Sequence, residues 1–189
     1  MEDIILIGYG GHAKSVADCI IRQGKYRIVG YTDIDKSTSA YTYLGNDECL
    51  DSIYKNGIKN AVIAIGYMGK GTLRRRLIEK AKEIGFTFPT IIDPSAIVSE
   101  SADIGEGVFI GKLAVINAEA KIGSFSIINT MALVEHECIV EEYSHVAVAA
   151  VLCGNVKVGK DAFIGANATV IQGRQIEAGA IVPAGVTIR

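Results

Sequence analysis

The stretch Asp103–Ile128, DIGEGVFIGKLAVINAEAKIGSFSII, places an aliphatic residue at every sixth position: Ile104, Ile110, Ile116, Ile122 and Ile128. The series extends outward in both directions. It starts at Ile92 and Val98 and continues through Val134, Val140, Val146, Leu152, Val158, Ile164, Val170, Ile176, Val182 and Ile188, seventeen positions without a miss. Four residues after each aliphatic lies a small side chain, as at Ala114, Ala120, Ser126, Ala132, Cys138, Ser144 and Ala150; Arg174 alone breaks that column. Glycine often follows the aliphatic, at Gly105, Gly111, Gly123, Gly159 and Gly165. A period of six fits neither a helix nor an alternating hairpin sheet. It fits a solenoid with one short strand and one corner per hexad. The aliphatic points inward, and the small residue sits where the interior narrows. Gly and Asn are expected to supply the unusual backbone angles of the corners. Three hexads close a triangular coil, with coils about 4.8 Å apart. Residues 92–188 then make about five coils, roughly 25 Å tall, that satisfy one another's backbone groups.

The first ninety residues have other periods. Asp3–Ile7 is a short apolar run that ends at Gly8-Tyr9-Gly10-Gly11-His12. Ala13, Val16, Ala17, Ile20 and Ile21 then recur at helical spacing until Gly24. Arg27–Tyr31 and Ala61–Ile65 read as further strands, Thr72–Ile84 as a helix capped by Gly85, and Phe88–Ile92 as a last strand feeding the solenoid. A helix is expected around Asp47–Tyr54. Strands alternating with helices predict a small parallel sheet over residues 1–90, ahead of a solenoid domain over 91–189. Gly8-x-Gly10-x-x-Ala13 matches a variant dinucleotide fingerprint, with Asp33 at the end of the second strand. The tight turn brings backbone N–H groups and a helix N-terminus to a phosphate. A plain glycine-rich turn is the simpler reading. Ninety residues are too few for a full NAD sheet, so a nucleotide-sized ligand fits better.

Composition agrees and excludes. The 189 residues contain 21 Gly but 3 Pro, no Trp and 7% aromatics, so the core must come from Ile, Val and Ala. A net charge of -2 argues against a nucleic-acid binder. No apolar run is long enough to span a membrane, and the start lacks the basic region of a signal peptide. Cys19, Cys49, Cys138 and Cys153 form no C-x-x-C pair, so they read as reduced, small apolar filling in a cytoplasmic protein.

The three histidines are His12, His136 and His145. His136 and His145 lie nine residues apart, half a coil, so they do not share an edge as metal ligands would. The metalloenzyme built on such a solenoid, a γ-class carbonic anhydrase, needs a third solenoid histidine; no metal is expected. His136 stands between Glu135 and Glu137 at a hexad position that leaves the core. An imidazole paired with a carboxylate is a usual general base, although a histidine between acids is more often plain surface.

The segments Gly8–Lys14 (GYGGHAK), Asn129–Cys138 (NTMALVEHEC) and Ser144–Val146 (SHV) together resemble the sugar and sialic acid acetyltransferases of bacterial surface-glycan biosynthesis. That resemblance implies a Rossmann-like α/β domain followed by a left-handed parallel β-helix of hexapeptide repeats; the hand comes from the resemblance alone. It implies direct acetyl transfer from acetyl-CoA to a nucleotide-linked amino sugar. His136 matches the general base and Glu137 the acid behind it. His145 matches a residue near the thioester and pantetheine of the cofactor, Gly154 a backbone N–H on the thioester oxygen, and Ala166 a further contact on the CoA groove. Gly10, Gly11 and His12 match the phosphate loop, Asp33 an acid near the nucleoside, and Gly66 a close backbone approach. A homotrimer with sites between subunits is implied as well. O-acetylation of a sialic acid, and a non-catalytic nucleotide-sugar binder, are the alternatives.

Overall fold

The computed structural model describes residues 1–69 and 71–189, which fall into two compact units. The first contains Met1–Gly66 and Gly71–Pro89; the second contains Thr90–Arg189 with a short segment that starts at Tyr67.

In the first unit, β1 (Glu2–Ile7), β2 (Tyr26–Thr32) and β3 (Asn60–Ile63) form a parallel sheet in the order β2-β1-β3. Central β1 buries Ile4, Ile5, Leu6 and Ile7 completely. An unbroken apolar run suits a parallel strand covered on both faces. Helix α1 (Gly11–Gln23) buries Ala13, Val16, Ala17 and Ile20 and ends at Gly24, whose left-handed conformation lets its N–H reach the Ile20 carbonyl. The region around Asp47–Tyr54 opens as a 3-10 turn, Asp47–Cys49, and continues as α2 (Leu50–Lys55). Helix α3 (Leu73–Ile84) ends at left-handed Gly85. Its Arg74, almost fully buried, donates from Nε to the carbonyl of Ile65 at 3.0 Å and anchors the chain just past β3.

One expected element differs. Phe88–Ile92 is not a strand of this sheet. Thr87 makes an isolated bridge to Asn60, and only Ile91–Ile92 is extended, where it pairs with Phe109–Ile110 in the solenoid. Pro89 offers no N–H to continue a ladder.

The second unit is a left-handed parallel β-helix of seventeen two-residue strands, β4 (Ile91–Ile92) to β20 (Thr187–Ile188). They form three flat parallel sheets of six, six and five strands. Ile110 pairs with Ile128 and Ile128 with Val146, so each coil is eighteen residues. The inward column from Ile110 to Val170 is essentially solvent-free. Between coils the backbone is satisfied, as where Ile127 N–H reaches the Ser144 carbonyl at 2.9 Å. The small column points inward too. Where it carries a heteroatom, that atom donates to a carbonyl fifteen residues on: Ser126 Oγ to Glu141 at 3.0 Å, Cys138 Sγ to Cys153 at 3.1 Å, Ser144 Oγ to Gly159 at 2.9 Å.

Gly107, Gly173, Gly179 and Gly185, with Asn155 and Asn167, take the positive φ expected of the corners, but the glycines that follow the aliphatic have another purpose. From residue 107 to 185, every sixth residue takes positive φ, and ten of those are not glycine, among them Leu113, Phe125, Glu137 and Tyr143. Gly105, Gly111, Gly123, Gly159 and Gly165 do not have positive φ. They lie against the next coil instead: a Cβ on Gly123 would stand 2.5 Å from the backbone N of Glu142. Glycine here is needed for close approach of two backbones, not for its dihedral freedom. Gly123→Ala is therefore expected to cost about 1–3 kcal/mol, as overpacking does. Glu119→Gly, at a left-handed corner with φ 60, should change stability far less, because relief of strain and added chain entropy oppose each other. Equal urea midpoints for Gly123→Ala and the wild type would overturn this account.

Candidate active site

The turn Glu135–Cys138 lies between β11 (Leu133–Val134) and β12 (Ile139–Val140). Its side chains pass from half-buried Glu135 through two exposed residues to a buried one. Cys138 points inward and is fully buried, while His136 and Glu137 point to solvent. Glu137 adopts φ 60, the left-handed corner shared by its counterparts in the other coils. That conformation is the ordinary geometry of this repeat and not a strain peculiar to the site.

His136 Nδ1 lies 3.0 Å from Glu137 Oε2. A carboxylate only accepts, so the pairing places the proton on Nδ1 and leaves the Nε2 lone pair available. Both side chains are about half exposed, so the pair adds little to stability; its consequence is orientation. The ring lies directly over Gly154, one coil further on. A Cβ at Gly154 would stand 2.6 Å from His136 Nε2. Gly154 is buried, and among the described residues no acceptor meets its N–H. A proton acceptor and an uncommitted backbone donor therefore stand side by side. Ala166 is half-buried and belongs to a different corner, where its carbonyl accepts from Gly185 N–H at 2.8 Å.

His145, on β13 (His145–Val146), has a different environment. It is buried, and its ring meets Phe163 edge-to-face with centroids 5.2 Å apart. Nδ1 donates to the carbonyl of Tyr67, and Nε2 faces the Asn129 side-chain amide at 3.1 Å. Because a carbonyl accepts only, Nδ1 carries the proton and Nε2 accepts from Asn129. Neither Asn129 nor Tyr67 was singled out by sequence reasoning. Asn129 was within the quoted motif; the Tyr67 carbonyl, 78 residues from His145, left no local signal.

Cys138 lies beside His136 in sequence, but its thiol faces the core and burial pushes its pKa up. It is a hydrogen-bond donor within the coil. Cys138→Ser is expected to keep both fold and turnover, since Ser126 and Ser144 fill the same role. A large loss of turnover with an unchanged melting temperature would point to a nucleophilic thiol instead.

In the first unit, Gly8 has φ +92, and a Cβ there would stand 2.3 Å from Ile65 Cγ1; only glycine fits. Gly10 and Gly11 have open space where a side chain would be. Gly10 caps α1 without a side-chain acceptor, and the first turn holds no acid. The helix thus presents its first-turn N–H groups and its positive end. They face a cavity of about 250 Å³ lined by Tyr9, Gly10, Gly11, His12, Asp33 and Gly66. Asp33 has a structural task here: Oδ2 accepts from Tyr9 N–H and Oδ1 from Ile34 N–H, each at 2.7 Å. Gly66 is not sterically obliged to be glycine, since a Cβ would make ordinary contact with His12 at 3.5 Å. Among the described residues, no three His, Cys, Asp or Glu side chains gather as a metal-binding group, and no helix is long and apolar enough to cross a membrane.

Residues 3–81 match the PglD N-terminal domain, and residues 155–189 the hexapeptide repeat of succinyl-transferase. The perosamine N-acetyltransferase PerB of Caulobacter crescentus, solved in complex with CoA and GDP-perosamine, superposes with a TM-score of 0.94. It is 36% identical, over 100% of this chain and 89% of that one. This chain belongs to the nucleotide-amino-sugar N-acetyltransferases. Other members of this acetyltransferase family are similar. The acetyltransferase domain of PglB from Neisseria gonorrhoeae, in complex with acetyl coenzyme A, is 31% identical with a TM-score of 0.81, over 98% of this chain and 95% of that one. The UDP-N-acetylbacillosamine N-acetyltransferase of Bacillus subtilis is 34% identical over 113 residues, 58% of this chain; the match spans about half, 51%, of that enzyme.

Proposed function

We propose that this acetyltransferase moves the acetyl group of acetyl-CoA onto the amine of a nucleotide-linked sugar for bacterial surface-glycan biosynthesis, with His136 as general base. The observation that carries the reading is the Glu137–His136 pair, which turns a lone pair outward beside the Gly154 amide. The amine nitrogen attacks the thioester carbon, forming C–N as C–S breaks. His136 Nε2 takes the proton that the amine loses, and the departing thiolate of CoA takes up a proton. Gly154 N–H supports the oxygen on which negative charge develops. Glu137 holds the ring and offsets the imidazolium charge. His145, fixed by Asn129 and Tyr67, and Ala166 are assigned to the CoA groove. Gly10, Gly11 and His12 with the end of α1 hold the sugar-nucleotide phosphates. Gly66 gives the ligand close approach, and Asp33 sets the loop.

Two further features belong to this reading. The protein acts as a homotrimer with sites between subunits. In support, one sheet of the solenoid carries an outward stripe of Ile97, Val115, Leu133 and Val151, and Ile97 is 67% exposed. Light scattering should return three times the monomer mass; a monomer would refute it. It works in the cytoplasm, where acetyl-CoA is supplied, and the four cysteines stand outside any disulfide, in accord with that. The activity test is a panel of nucleotide-linked amino sugars with acetyl-CoA and a free-thiol readout. A product that survives mild base is an amide; a labile one is an ester and would favour O-acetylation. Sugar-nucleotide binding without thiol release from any donor would leave a binding protein.

A further inference from the structure

We infer that Asp47 and Arg76 read the nucleobase of the sugar nucleotide, and that they select guanine. This rests on the nucleotide-sugar reading above and names the substrate class within it. The expected nucleoside acid, Asp33, is already engaged by two backbone N–H groups. Beside the phosphate cavity lies a smaller one, about 100 Å³, which shares Gly8, Asp33, Ile65 and Leu73 with it and adds Ile34, Asp47 and Arg76. A nucleoside extending from phosphates at α1 along the ends of the strands enters this second cavity.

Its lining has the character of a base site. Ile34 is 74% exposed and Leu73 40%, two large aliphatics left at its mouth where a flat ring would cover them. Asp47, half-buried, accepts only a long 3.4 Å contact from Thr32 Oγ1 on Oδ1; among the described residues, Oδ2 meets no donor. Arg76, on the exposed side of α3, meets no acceptor among them either. Opposite charges line one small cavity and do not pair with each other, which leaves one acceptor group and one donor group for a ligand. Guanine supplies the complement: N1–H and the N2 amino group are adjacent donors for a carboxylate, and O6 with N7 is the acceptor pair that a guanidinium bonds. Uracil offers a single N–H between two carbonyls and would turn an acceptor toward Asp47. Adenine places a bare ring nitrogen where guanine has N1–H.

The test is calorimetry of GDP, UDP and inosine diphosphate on the full chain, on Asp47→Asn and on Arg76→Ala. GDP should bind about tenfold or more tighter than UDP. Inosine diphosphate, which lacks the N2 amino group, should bind more weakly than GDP. Asp47→Asn should remove that difference, and Arg76→Ala should weaken both purine nucleotides while leaving UDP nearly unchanged. Because Arg76 is exposed, its variant keeps the test decisive even if Asp47→Asn disturbs the 3-10 turn. UDP binding as tightly as GDP, or GDP binding indifferent to both substitutions, overturns the inference and leaves the acetyltransferase reading standing. Failure of all three nucleotides to bind overturns both.

Discussion

His136→Ala should lower kcat about 10²–10⁴-fold, the usual worth of a positioned general base, and leave the binding of acetyl-CoA and of the sugar nucleotide nearly intact. The expectation of intact binding follows from position. The ring lies across Gly154 at the surface, half exposed, so its loss opens space and leaves no buried group unsatisfied. Glu137→Gln separates orientation from charge. The amide oxygen can still accept from Nδ1 and hold the tautomer, but it no longer offsets an imidazolium, so its loss in kcat should be smaller than that of His136→Ala with KM unchanged. Wild-type turnover by His136→Ala would remove the mechanism proposed here. A matching loss of kcat and of melting temperature would make the histidine structural.

The second large effect is on stability. Ile128 is fully buried and stacks between Ile110 below and Val146 above. Ile128→Ala is expected to cost about 2–5 kcal/mol, because the stacked backbones hold the coil open and the cavity cannot collapse. A solenoid is stabilised by contacts between neighbouring coils, and a central residue serves two such interfaces. Ile188 belongs to the last strand, is only half-buried, and has a partner on one side alone, Val170. Ile188→Ala should therefore shift the urea midpoint much less. Equal shifts at the two positions would contradict a nearest-neighbour account of this unit.

The solenoid was legible because every hexad meets the same environment. Ile110, Ile128 and Val146 repeat the same residue class, since each faces the same narrow interior. Stacking His136 over Gly154 follows from the eighteen-residue coil, and the contact between His136 and Glu137 from adjacency in the chain. The reason for the glycines that follow the aliphatic was not legible. Gly123 is constrained by Glu142, nineteen residues away, and the sequence around it cannot distinguish close approach from dihedral freedom. Pro89 in turn ends the sheet before the strand that Phe88–Ile92 had suggested.

The sequence by itself determined the three-sided coil, the small parallel sheet before it, and the histidine–carboxylate pair, because each depends on spacings within one or two repeats. Only the tertiary structure decided what the polar side chains do. Asp33 is engaged by Tyr9 and Ile34, His145 is held by a carbonyl 78 residues away, and Asp47 and Arg76 line one cavity assembled from separate elements. Hydrogen bonds are short and directional, so the role of a side chain depends on which groups the fold brings within about 3 Å of it, and local sequence does not encode that.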